Sequence, residues 1–78
     1  MRDLINFIAT SLVDDPTQVS VSQYQHGSQV ILKLRVAKED MGRVIGKGGR
    51  VANAMRLLLR VAAAPTGKRA ILDIVEPE

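Results

Sequence analysis

Apolar residues recur at helical spacing near the start of the chain, at Leu4, Ile5, Ile8 and Leu12. That period predicts an amphipathic helix over residues 3–13 with Asp3 as its N-cap. Asp14-Asp15-Pro16 ends it, because a residue before proline avoids helical backbone. The period then switches to two. Val19 and Val21 alternate with Ser20 and Ser22, and Val30, Leu32, Leu34 and Val36 alternate with Ile31, Lys33 and Arg35, so two strands are expected. His26-Gly27 lies between them in a connection short enough for a hairpin. From Lys38 a short helix runs to about Ile45, with Glu39 and Asp40 in the first turn, where the helix dipole favours anions. A longer helix follows from about Arg50 to Ala63, built on Ala54, Met55, Leu58, Leu59 and Ala62. Ala64-Pro65-Thr66-Gly67 closes it. Residues 70–75 supply a last strand, and Glu76-Pro77-Glu78 is a polar tail.

The order is therefore helix, strand, strand, helix, helix, strand. A hairpin makes the first two strands antiparallel, and a helical crossover makes the second and third parallel and right-handed. The expected architecture is a two-layer α/β (α+β) domain, with three helices on one face of a three-stranded mixed sheet. A length of 78 residues suits one domain over residues 1–78 with a modest core.

Between the two later helices lies Val44-Ile45-Gly46-Lys47-Gly48-Gly49-Arg50, with three glycines in four positions. Glycine is costly inside a helix or strand and is used where backbone must adopt unusual dihedrals or approach something closely. The loop opens onto the positive end of a helix, a setting for a bound anion. It is not a Walker A loop, which would need glycine at position 41 and a hydroxyl after the lysine, where Met41 and Gly48 stand. It is not a dinucleotide fingerprint either, which would need glycine at Val51 and a preceding strand.

Charge sharpens this picture. The net charge is only +3, yet Arg43, Lys47, Arg50, Arg56, Arg60, Lys68 and Arg69 fall between Met41 and Leu72 with no acid among them. A basic block centred on a glycine loop is the footprint of a phosphate-binding face. Other chemistry is thin. Asp14-Asp15-Pro16 reads as a solvated turn and not as a metal site. His26 is the only histidine and reads as a turn residue, neither ligand nor base. The chain has no cysteine, hence no disulfide or thiolate metal site. No nucleophile has a base beside it, so an enzyme is not expected, and neither is a cofactor. No stretch approaches the ~20 apolar residues of a membrane span, and the N-terminus does not resemble a signal peptide, so a cytoplasmic protein is expected.

Gly46-Lys47-Gly48-Gly49, with Val44-Ile45 before it and Arg50-Val51-Ala52 after it, resembles the Gly-x-x-Gly signature of KH domains. The chain as a whole is similar to the small stand-alone bacterial KH-domain proteins of the KhpA type, and its element order is that of the type II KH fold. The resemblance implies that the loop grips the backbone of about four nucleotides of single-stranded RNA, with the bases over a groove formed by the two helices and a neighbouring strand. With one Phe and one Tyr, the chain is a poor match to RNA folds that depend on aromatic stacking.

On this basis Gly46, Lys47, Gly48 and Gly49 contact phosphates, and Arg43 and Arg50 add attraction. Val44 and Ile45 lie on different helix faces, one for the core and one for the groove, and Asn53 is a candidate for a base edge. The resemblance also implies an RNA chaperone or regulator tied to cell elongation and division. The implied partners are a second copy of the chain and a larger KH-domain RNA-binding protein. Two alternatives stand beside it. Single-stranded DNA presents the same backbone. An adaptor that mainly binds other proteins would use Ile31, Ile71 and Val75, if these are exposed.

Overall fold

The apolar stripe of the first helix and the alternation of the strands meet in one core. A computed structural model of the protein describes residues 1–76. Helix α1 (Arg2–Leu12) turns Ile5 and Ala9 inward. Strand β1 (Ser20–His26) pairs antiparallel with β2 (Gln29–Arg35), and β2 pairs parallel with β3 (Arg69–Ile74). Leu32 thus lies opposite Gln23 on one side and Leu72 on the other. Helices α2 (Met41–Ile45) and α3 (Arg50–Ala63) form the crossover between β2 and β3. Val30, Leu32 and Leu34 point into the helical layer and are fully buried with Ile5, Val44, Met55 and Leu59, and alternate β2 residues face away. The expected two-layer arrangement and mixed sheet are therefore present.

Local details differ from the sequence expectation, each for a physical reason. Helix α1 begins one residue earlier, with Met1 at its N-cap, so Asp3 sits in the first turn and caps nothing. It still lies where the dipole favours an anion. His26 is the last residue of β1, paired with Gln29, and the turn is Gly27-Ser28, entered through a positive φ of 61° at Gly27. The segment before α2 is a separate 3-10 turn, Lys38–Asp40. Pro77 and Glu78 of the expected tail lie outside the described residues.

The phase of α3 differs most. Its buried residues are Ala52, Met55, Leu59 and Ala63, while Ala54, Leu58 and Ala62 are exposed. Leu57-Leu58-Leu59 offers an apolar side chain to three directions at once, so periodicity alone could not select the core face.

The α1–β1 connection is held from inside. Asp40 is 2% exposed, and its two carboxylate oxygens accept the backbone N–H groups of Asp14 and Asp15, each at 3.1 Å. A buried carboxylate is tolerated only when satisfied in this way. Asp15 in turn caps the Pro16–Gln18 turn. Hydrogen bonds from Thr17 and Gln18 hold its carboxyl below the usual carboxylate range.

Candidate nucleic-acid interface

Helix α2 ends at Gly46, whose N–H donates to the Gly42 carbonyl at 2.8 Å. Gly46 has φ 76° and ψ 170°, a conformation open essentially to glycine alone. Space forbids a side chain as well. A Cβ there would stand 2.6 Å from Val51 Cγ2 and 2.8 Å from the Val51 backbone nitrogen, and main chain cannot swing aside. The Gly49 N–H closes the turn on the Gly46 carbonyl at 3.1 Å. Gly48 and Gly49 are both left-handed, at φ 65° and 80°, and Gly49 is the N-cap of α3 with no side chain capping that helix.

The loop is therefore a tight backbone turn whose one side chain, Lys47, is exposed, with Arg50 exposed beside it. No atom lies within 4 Å of where a Cβ on Gly48 would be. Bare main chain, one lysine and an uncapped helix start combine to attract an anion.

The nine residues singled out from sequence do not all converge on this surface. Gly46, Lys47, Gly48, Gly49 and Arg50 do. Asn53 stands one turn along α3, with its Nδ2 within 3.7 Å of a Cβ built on Gly49. Its Oδ1 accepts from Arg56 Nη1 at 3.3 Å. Val44 is fully buried, whereas Ile45 is 36% exposed, so the expected split between core and surface falls with Val44 inside. Arg43 is engaged elsewhere: its Nη2 meets Asp14 Oδ2 at 2.8 Å and its Nε meets Asp40 Oδ1 at 3.2 Å. These contacts aim its guanidinium at Asp14 and at Asp40, the carboxylate that fastens the α1–β1 connection.

Beyond the loop, α3 and β3 enclose a groove of about 540 Å³. Arg56, Arg60 and Ala64 line one wall, and residues 68–72 line the other. Arg56 reaches across it, donating weakly from Nη2 to the Leu72 carbonyl at 3.5 Å. The acid-free window from Met41 to Leu72 signals this charge in the sequence. Only the crossover brings its two ends together. Among the described residues, no helix is long and apolar enough to cross a membrane. Nor do three or more His, Asp or Glu side chains gather as metal ligands would.

The order αββααβ, the mixed sheet and a Gly-x-x-Gly turn between the two crossover helices define a KH domain of type II. A family model described as KhpA/KhpB, KH domain matches residues 2–74. The chain belongs to this KhpA/KhpB KH-domain family. It is 47% identical to RNA-binding protein KhpA of Clostridium acetobutylicum, over 96% of this chain and 100% of that one. It is 46% identical to the protein of the same name from Treponema pallidum, over 96% and 94%. With that from Aquifex aeolicus the identity is 37%, over 97% and 96%. No solved structure matches the chain.

Proposed function

We propose that this chain binds single-stranded RNA without acting on it chemically, gripping the sugar-phosphate backbone with Gly46, Lys47, Gly48 and Gly49. The observation that carries this reading is the Gly46 turn, where both backbone conformation and the contact with Val51 demand glycine. A fold that needed only a connection between two helices could use cheaper residues. Lys47 supplies charge, Arg50 adds attraction, and Ile45 and Asn53 lie where the first bases leave the loop. Arg43 and Val44 serve the site indirectly, by fixing and burying α2. The names of the relatives, which call them RNA-binding proteins, support the same ligand. In the cell the reading is of a cytoplasmic RNA chaperone or regulator linked to elongation and division.

The test is the pair Lys47→Asp and Gly48→Asp in one chain. Gly48 faces open space, and aspartate tolerates left-handed backbone better than most residues. Fluorescence anisotropy with a labelled oligonucleotide should then show binding lost, while circular dichroism shows the fold retained. A folded double variant that binds as the wild type does would remove the loop from the RNA site.

A second reading, protein pairing, is favoured by a different observation. Leu57, Leu58 and Val61 on α3 are 54%, 46% and 64% exposed, and form an apolar stripe on a helix whose other face is the core. Ile31, Ile71 and Val75 are half-buried instead, so the stripe is the better place for a second copy or for a larger KH-domain partner. Pairing also suits a weak four-nucleotide grip, because a second linked site raises effective concentration. An adaptor that works only through this stripe keeps its partner when the loop is made acidic.

A further inference from the structure

We propose that the far end of the α3–β3 groove is a second phosphate-binding site, in which Arg60, Lys68 and Arg69 hold the backbone of a strand already gripped by the glycine loop. This rests on the RNA-binding reading above. Arg60 comes from the last turn of α3, Arg69 is the first residue of β3, and Lys68 immediately precedes it. With Arg56 they put four cations around one groove. Among the described residues the only ion pairs are those of Arg43, so no described carboxylate is in direct contact with a cation of this cluster. Like charges gathered on rigid walls repel, and an anion between them relieves the repulsion.

The walls are rigid for local reasons. Thr66 Oγ1 donates to the Ala63 carbonyl at 2.6 Å and accepts the Lys68 N–H at 3.3 Å. Gly67 turns the chain at φ 70°, and the Arg69 N–H is fixed to the Ser28 carbonyl at 2.9 Å. Lys68 and Arg69 are thereby held on the wall of the groove that faces α3. The plainer explanation is that these cations complement the C-terminal end of the α3 dipole. That end carries about half a negative charge, which one arginine satisfies, and the cluster far exceeds it.

Spacing connects this site to the loop. From Arg50 to Arg60 the helix rises about 15 Å at 1.5 Å per residue. At 3.4 Å per nucleotide of a stacked strand, that is about four nucleotides, the length that the loop grips. A strand leaving the footprint of the loop along α3 therefore arrives at Arg60, Lys68 and Arg69. The ligand is a phosphodiester chain longer than four nucleotides.

The experiment compares labelled oligouridylates of four and eight nucleotides by anisotropy, on the whole chain. An eight-nucleotide strand offers about five registers to a four-nucleotide grip, so statistics alone favour it about fivefold. The second site should raise this preference to about fiftyfold. In the double variant Arg60→Glu, Lys68→Glu it should return to about fivefold, with four-nucleotide affinity within about twofold of wild type. The salt slope for the longer strand should become shallower by about 1.4. If the reversed charges unfold the chain, Arg60→Gln with Lys68→Gln is read in the same way. The proposal is overturned if the preference for eight nucleotides survives the substitutions. It is also overturned if both affinities fall together, which would mark a diffuse attraction. A wild-type chain that binds neither strand overturns the loop reading and this site with it.

Discussion

Gly46 and Val51 are packed so closely that a β-carbon on the first would lie 2.6 Å from Cγ2 of the second. This contact sets the loop against the first turn of α3, and it separates the glycines by role. Gly46→Ala should cost roughly 2–4 kcal/mol, from forbidden backbone dihedrals together with overpacking. Gly48→Ala meets nothing within 4 Å and should cost only about 1–2 kcal/mol, from its left-handed φ. Urea denaturation of the two variants gives the comparison. Equal midpoints would mean that Val51 yields easily and that Gly46 is not a structural requirement.

Asp40 supplies the second prediction. Removing its carboxylate in Asp40→Ala leaves the N–H groups of Asp14 and Asp15 without their partner and Arg43 without its inner carboxylate. The loss should be about 2–4 kcal/mol, most of it from the buried N–H groups, because half-exposed Arg43 contributes little. Asp14→Ala breaks only an exposed ion pair and should cost less than about 0.5 kcal/mol. Thermal melts of both test the ranking. For a domain of this size each kcal/mol shifts the midpoint by roughly 4–8 °C. If Asp14→Ala is as damaging as Asp40→Ala, the buried carboxylate is not what fastens α1 to β1.

These two residues also show where the sequence was legible. The architecture could be read because the hydrophobic period changes cleanly from 3.6 to 2 and back, and because Gly46, Gly48 and Gly49 interrupt it at one place. Local features with competing solutions were harder. Asp40 reads in sequence as a first-turn anion, and its role depends on Asp14 and Asp15, which only the fold brings beside it. Arg43 reads as one more loop cation, and Asp14 and Asp40 draw it away. On α3, three consecutive leucines left the phase open. At the groove, Arg60 and Lys68 belong to one acid-free run, but nothing in their spacing says that a turn at Thr66-Gly67 puts them on the two walls of one groove.

The leucines of α3 give the third prediction. Leu59→Ala removes a fully buried side chain and should cost about 2–5 kcal/mol. Leu58→Glu with Val61→Glu alters only exposed positions, so the fold should lose little. If the stripe pairs two copies, sedimentation velocity should show wild-type self-association that rises with concentration, and the double variant should sediment as a monomer. A wild-type chain that stays monomeric at high concentration would leave the stripe without a second copy as its occupant.

The last prediction concerns salt, and it isolates the contribution of Lys47. Binding of a phosphate backbone releases counterions, so log affinity falls linearly with log salt by about 0.7 for each phosphate neutralised on a single strand. A four-nucleotide strand has about three internucleotide phosphates, and the glycine loop should engage roughly two or three of them, giving a slope of about −1.4 to −2.1. Lys47 is the only side chain among the four loop residues. Lys47→Ala should therefore lower the affinity at low salt and make the slope shallower by about 0.7–1. The two lines should converge as salt rises, because the proposed main-chain contacts of Gly46, Gly48 and Gly49 are the same in both proteins. The variant should keep its melting temperature, since the Lys47 side chain is exposed. Anisotropy titrations across a salt series provide both slopes. A wild-type affinity that does not change with salt would exclude a phosphate grip. Parallel lines for wild type and Lys47→Ala would mean that the lysine acts on the strand other than through charge.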